Sequence, residues 1–190
     1  NEYLQVGFER FDRGDAAAID AEVFCLMQAA LGDLPVQAAT GDLGILRAAV
    51  QGLTTSDARR AALMRHMWRP ARFKHLLERY SAPARPSEPR KALLEAVHAG
   101  RLGELVAGAA PLIGLRSFED IEARAAVLVD EAAQPPLDAG EVAVLNDVLA
   151  LAGMVDEIAP KLDALAEKRP ALGSVAAQFA DRAAALRKAG

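Results

Sequence analysis

Tyr3-Leu-Gln-Val-Gly-Phe-Glu-Arg-Phe11 and Thr40-Gly-Asp-Leu-Gly44 decide how this chain is read. The first stretch alternates in character and holds β-branched and aromatic residues, the period of a half-buried strand. Between the two, Gly14 and Asp15 make a turn and cap. Ile19, Val23, Leu26, Met27 and Ala30 then recur at helical spacing. A second extended segment is expected at about Leu34 to Ala39, ending at Thr40-Gly41-Asp42. The order read so far is strand, helix, strand.

From Asp42 onward the pattern is helical, over about 43–52, 57–68, 70–80, 89–99, 101–109, 118–133, 139–152, 160–168 and 172–188. Thr54-x-x-Asp57 and Ser117-x-x-Asp120 resemble capping boxes with Asp in place of Glu, and Pro70 and Pro160 suit first-turn positions. Three apolar stripes ask for a common core: Phe118, Ile121, Ala125, Leu128 and Ala132; Val142, Leu145, Leu149 and Ala152; and Leu172, Val175, Phe179, Ala183 and Leu186. Ala supplies roughly a fifth of the residues, which lets helices approach closely without loss of helix propensity. The three prolines of Ala82-Pro-Ala-Arg-Pro-Ser-Glu-Pro89 predict a loop or hinge. The expected fold is therefore α+β but mostly helical, with a sheet-bearing segment at 1–53 and a helical domain at 54–190.

Composition narrows the function classes. The 190 residues carry 22 Lys plus Arg and 26 Asp plus Glu, a net charge of −4, with a pI near 5.4. That balance argues against a dedicated nucleic-acid binder. A single cysteine, Cys25, allows no internal bridge and reads as a reducing, cytoplasmic interior. The longest uncharged stretch, Leu105 to Leu115, is far short of the ~20 residues a bilayer demands. No signal peptide is read at Asn1-Glu-Tyr-Leu-Gln5, and an excised piece is expected.

On the predicted first strand, Tyr3, Gln5, Gly7, Glu9 and Phe11 share one face. An amide and a carboxylate on either side of a strand glycine could hold a small polar cation, the carboxylate pairing with ammonium or imidazolium. The same residues also fit an ordinary solvated sheet face. Arg59, Arg60, Arg65, Arg69, Arg72, Lys74 and Arg79 face a single acid, Glu78. This stretch suits an anion or an acidic partner, with Arg65, Arg69 and Arg72 as the candidate patch and Trp68 and Phe73 as apolar anchors, or a solvated helix face. His66, His75 and His98 have no ligand spacing, so no metal site is expected. Cys25 shares a helix face with Ala18, Ala21 and Ala29 and reads as structural, and no serine lies in a nucleophile elbow. No complete catalytic set and no cofactor motif is present.

Tyr3-Leu-Gln-Val-Gly-Phe-Glu9, Asp20-Ala-Glu-Val23 and Thr40-Gly-Asp-Leu-Gly44 resemble the core of histidyl-tRNA synthetase and its relatives. Thr40-Gly-Asp-Leu-Gly-Ile-Leu46, Arg65-His-Met-Trp-Arg-Pro70 with Phe73 and Leu76-Leu77, and the Ala-rich helices after Ser117 resemble one branch, the regulatory subunits of ATP phosphoribosyltransferase. That resemblance implies a strand-helix-strand piece of a class II synthetase-like antiparallel sheet at 1–53, followed by an all-α inserted domain at 54–190. The flanking strands that complete the family's histidine site do not occur in the sequence, so a fragment is expected. The implied role is noncatalytic: a cytoplasmic regulatory subunit of histidine biosynthesis, a homodimer within a hetero-oligomer with a short-form catalytic subunit. Histidine is the implied feedback effector, with Gln5, Gly7 and Glu9 at the matching positions. Alternatives are a fragment of a genuine synthetase, whose basic stretch would touch tRNA phosphates, and a helical interaction module without a ligand.

Overall fold

The structure is a computed structural model and describes residues 7–83, 85–109 and 117–189. These residues form ten α-helices: α1 (Ala16–Leu31), α2 (Leu43–Gln51), α3 (Asp57–Arg65), α4 (Pro70–Ser81), α5 (Glu88–His98), α6 (Leu102–Ala107), α7 (Phe118–Ala133), α8 (Ala139–Leu149), α9 (Val155–Lys168) and α10 (Gly173–Ala189). A 3₁₀ turn, Pro170–Leu172, precedes α10. No helix of the described residues is long and apolar enough to cross a membrane.

The expected α+β fold is corrected: among the described residues there is no β-strand. Of the first predicted strand, residues 3–6 lie outside the described residues and 7–11 run irregular and exposed. A period-2 pattern states which side chains would share a face, but a strand persists only where its N–H and C=O groups find a neighbour. Here Asp12 instead accepts the backbone N–H groups of Arg13 and Gly14, closing a local turn. In the second segment the Val36 N–H donates to the Leu34 carbonyl at 2.8 Å across Pro35, a γ-turn where extension was expected. Without a sheet, Phe8, Phe11, Leu34 and Val36 stay more than half exposed.

The chain forms two compact units, Asn1–Leu53 with Gly140–Gly190, and Thr54–Ala139. In the first, α10 packs along α1 and α9, and the 3₁₀ turn fits against α2 and α9. Val50, Leu145, Leu162 and Leu172 are its most deeply buried side chains. Gly52, after α2, lets the turn come close: a Cβ there would stand 2.6 Å from Ala171 Cβ. Half-buried Cys25 and the small residues Ala18, Ala21 and Ala185 line a largely apolar groove along α1 and α10.

In the second unit, α5 packs on α6 and α7, and α3 on α4. Leu63, Phe73 and Leu77 fill the core. Gly100 reverses the chain after α5 at φ 68, with the Gly100 and Arg101 N–H groups bonded to the Val97 and Ala96 carbonyls. That is the Schellman closure, and it favours glycine because φ is positive.

Local signals held unevenly. Ser117 and Asp120 form the expected reciprocal capping box of α7, and Pro70 opens α4. Thr54 does not cap α3; Ser56 does, accepting the Arg59 N–H. Pro160 lies inside α9 because the helix starts earlier, where Asp156 and Glu157 in the first turn favour its positive end. The α8 stripe is rotated: Val144, Leu145 and Val148 are buried while Leu149 is exposed.

Candidate functional site

Three resemblance-bearing segments meet in the first unit. An open cleft of about 800 Å³ is lined by Glu9, Arg10 and Phe11 from the irregular entry, by Ile19, Asp20, Val23 and Phe24 of α1, by Thr40-Gly41-Asp42, and by Arg182 and Leu186 of α10. Asp42 caps α2, and the capping explains its placement. Its Oδ1 accepts the Gly44 N–H at 2.7 Å, and its Oδ2 accepts from the Arg182 guanidinium at 2.7 Å. Arg182 Nε also lies 2.8 Å from Asp20 Oδ2, an ion pair without the alignment of a hydrogen bond. Burial works against the Arg182 charge, but the Asp42 hydrogen bond and the Asp42 and Asp20 charges outweigh it and hold the guanidinium above its usual range.

At the cleft mouth Arg10 bridges Asp12 and Glu22. The Arg10 hydrogen bond, followed by the Gly14 and Arg13 N–H groups, holds the Asp12 carboxyl below its ordinary value. With Arg10 and Arg182 both paired, Glu9 is the lining carboxylate that makes no ion pair among the described residues. Chemically the cleft offers one available acid beside neutralised guanidinium–carboxylate pairs and the aromatic rings of Phe11 and Phe24. That combination suits a small cation bearing an apolar or aromatic body.

Of the residues expected to hold histidine, Gln5 lies outside the described residues. Glu9 is exposed on the cleft wall, and exposed Gly7 approaches nothing, since a Cβ there would meet no atom within 4 Å. Arg182 escaped the sequence reading altogether. It sits 140 residues from Asp42 on an Ala-rich helix, and no local motif points to it.

In the second unit, Arg65, Arg69 and Arg72 are exposed around half-buried His66. Burial first, then the charges of Arg72, Arg69 and Arg65, push the His66 imidazole below its ordinary value. The two expected anchors separate: Phe73 is buried, whereas Trp68 is 76% exposed. Among the described residues no group of His, Cys, Asp and Glu could hold a metal ion.

No family model, curated protein or solved structure matches this chain.

Proposed function

We propose that the chain belongs to a noncatalytic regulatory subunit that activates a short-form ATP phosphoribosyltransferase and carries its feedback by histidine. The observation that supports this reading is the cleft itself: Glu9, Asp20 and Thr40-Gly41-Asp42, drawn from the three segments that resemble the family, line one cavity. Glu9 would meet the imidazolium or ammonium of the effector. Phe11 or Phe24 would cover its ring, while the Asp42–Arg182–Asp20 network fixes the wall. Histidine inhibits only if it binds a less competent state of the complex more tightly than the active one.

The test uses the protein that carries this chain, mixed with its cognate catalytic subunit and assayed for phosphoribosyl-ATP formation with and without histidine. Stimulation that histidine suppresses is expected. Glu9→Ala should keep the stimulation and lose the suppression. No stimulation, in a sample that charges tRNA with histidine, would replace this reading with that of a synthetase.

A further inference from the structure

We infer that the second unit contains a separate binding site for a phosphoryl dianion, built around Tyr80. A cavity of about 130 Å³ is walled by Arg59, Arg79, Tyr80, Arg85, Arg90 and Glu131. Four guanidinium groups against one carboxylate leave a local excess of three positive charges in a chain whose net charge is −4. Like charges gathered around a small cavity repel one another, and an anion seated among them relieves the repulsion.

The four arginines do not have the same part. Arg59 is held rigidly: its Nε donates to Glu131 Oε1 at 3.1 Å, one terminal nitrogen donates to the Pro135 carbonyl at 2.7 Å, and its plane lies 4.9 Å from the centre of the Tyr80 ring. Arg79 covers the same ring at 4.8 Å and donates to the Tyr80 hydroxyl at 3.0 Å. The buried tyrosine thus orders two guanidinium planes without neutralising either. Arg79, Arg85 and Arg90 make no ion pair among the described residues. Their donors are available to a ligand.

Size and charge select the ligand class. The pocket, of about 130 Å³ and open to solvent on the side of exposed Arg79 and Arg85, has room for one phosphoryl group. A carboxylate offers two oxygens and one charge, whereas a phosphoryl group offers three oxygens and close to two charges, matching the three arginines that line the pocket without an ion pair among the described residues. The source is either free phosphate or the head of a small phosphate ester. The site shares no residue with the histidine cleft, so it stands whether or not the regulatory reading does.

Calorimetric titration of the full chain tests it, with potassium phosphate and methyl phosphate each compared with potassium chloride at matched ionic strength. Saturable binding of phosphate or methyl phosphate is expected, with no saturable response to chloride. Arg85→Ala and Arg90→Ala should each weaken it about tenfold, equivalent to roughly 1.4 kcal/mol. Arg85 is exposed and Arg90 is half-buried in α5, where Ala is at least as good a helix former, so circular dichroism should show an unchanged helix content in both variants. Arg47→Ala, which removes an exposed charge from the first unit, should leave the affinity unchanged. Tighter binding of methyl phosphate would assign the site to an ester head, and binding of phosphate alone to the free ion. The inference is overturned by a phosphate response no larger than that of chloride, or by equal losses in Arg47→Ala and Arg85→Ala. Binding of tRNA without either small phosphate would overturn it in favour of a polynucleotide surface.

Discussion

Arg59 and Glu141 are charged side chains of opposite sign, each almost wholly buried, one in each unit. Their surroundings differ. Arg59 is shared among a carboxylate, backbone carbonyls and the face of Tyr80, and it forms one wall of a cavity with room for an anion. Glu141 meets Arg169 at 3.2 Å beside a crevice of about 10 Å³ lined by Leu145 and Leu172, at the lower limit of what a water needs. One buried charge opens onto chemistry and the other is sealed into packing. Burial of a charge alone therefore does not mark a site; the space next to it and the surplus of like charge do.

The largest effect should come from removing the buried cation. Arg59→Ala strands Glu131 and the Pro135 carbonyl and should cost about 3–5 kcal/mol in urea unfolding. Arg169→Ala leaves Glu141 without its guanidinium partner, but truncating the partly exposed Arg169 admits water to the carboxylate, so the loss should fall at or below the low end, about 3 kcal/mol. If the Arg169 variant lost more than the Arg59 variant, the sealed charge would be the more demanding of the two and the contrast would reverse.

The sealed crevice can also be tested by filling it. Gly52→Ala would drive a Cβ to 2.6 Å from Ala171, and overpacking of this kind costs about 1–3 kcal/mol. A stability unchanged within error would mean that the 3₁₀ turn yields and that the crevice is not tightly closed.

Helices such as α4 and α7 were legible because they carry their own punctuation: Pro70, Ser117 with Asp120, and the stripe Phe118, Ile121, Ala125 that marks the inward face of α7. The strands were misread because the alternation of Tyr3 to Phe11 is a local pattern, while a sheet depends on partners that no local pattern supplies; in the second segment, Leu34 to Ala39, Pro35 took a γ-turn instead of extending. The α8 face differs from the stripe Val142, Leu145, Leu149 and Ala152 because Glu141 turns inward to meet Arg169, which brings Val144 and Val148 into the core beside Leu145. Sites divided in the same way. Glu9 was readable from its own neighbourhood, but Arg182 and the pairing of Arg59 with Glu131 join positions 140 and 72 residues apart. Nothing short-range encodes such contacts.

Capping offers a way to separate fold from site inside the second unit. Ser117→Ala removes the acceptor for the Asp120 N–H and should cost about 1 kcal/mol. Glu131 lies at the other end of the same helix. Phosphate affinity, read by the same titration, should therefore stay at the wild-type value while the unfolding midpoint drops. A parallel loss of affinity would tie the cavity to the whole of α7 rather than to its last turn.

The smallest effect concerns His66, the titratable group set among the exposed arginines of the second unit. Its native value lies below the ordinary 6.5, through burial first and then through Arg72, Arg69 and Arg65. The unfolded chain therefore binds the proton more readily than the folded one. The contribution of the neutral imidazole is fully present above about pH 6.5 and is lost as the pH falls through the depressed native value. Unfolding of the wild type and of His66→Gln should accordingly differ by a constant amount at pH 7 to 8 and diverge below about 6.5, with the wild type losing more. Arg72→Ala should move the His66 midpoint, followed by the imidazole proton resonance, back toward the ordinary value. A midpoint that stays put in Arg72→Ala would remove Arg72 as a cause and leave burial with the charges of Arg69 and Arg65.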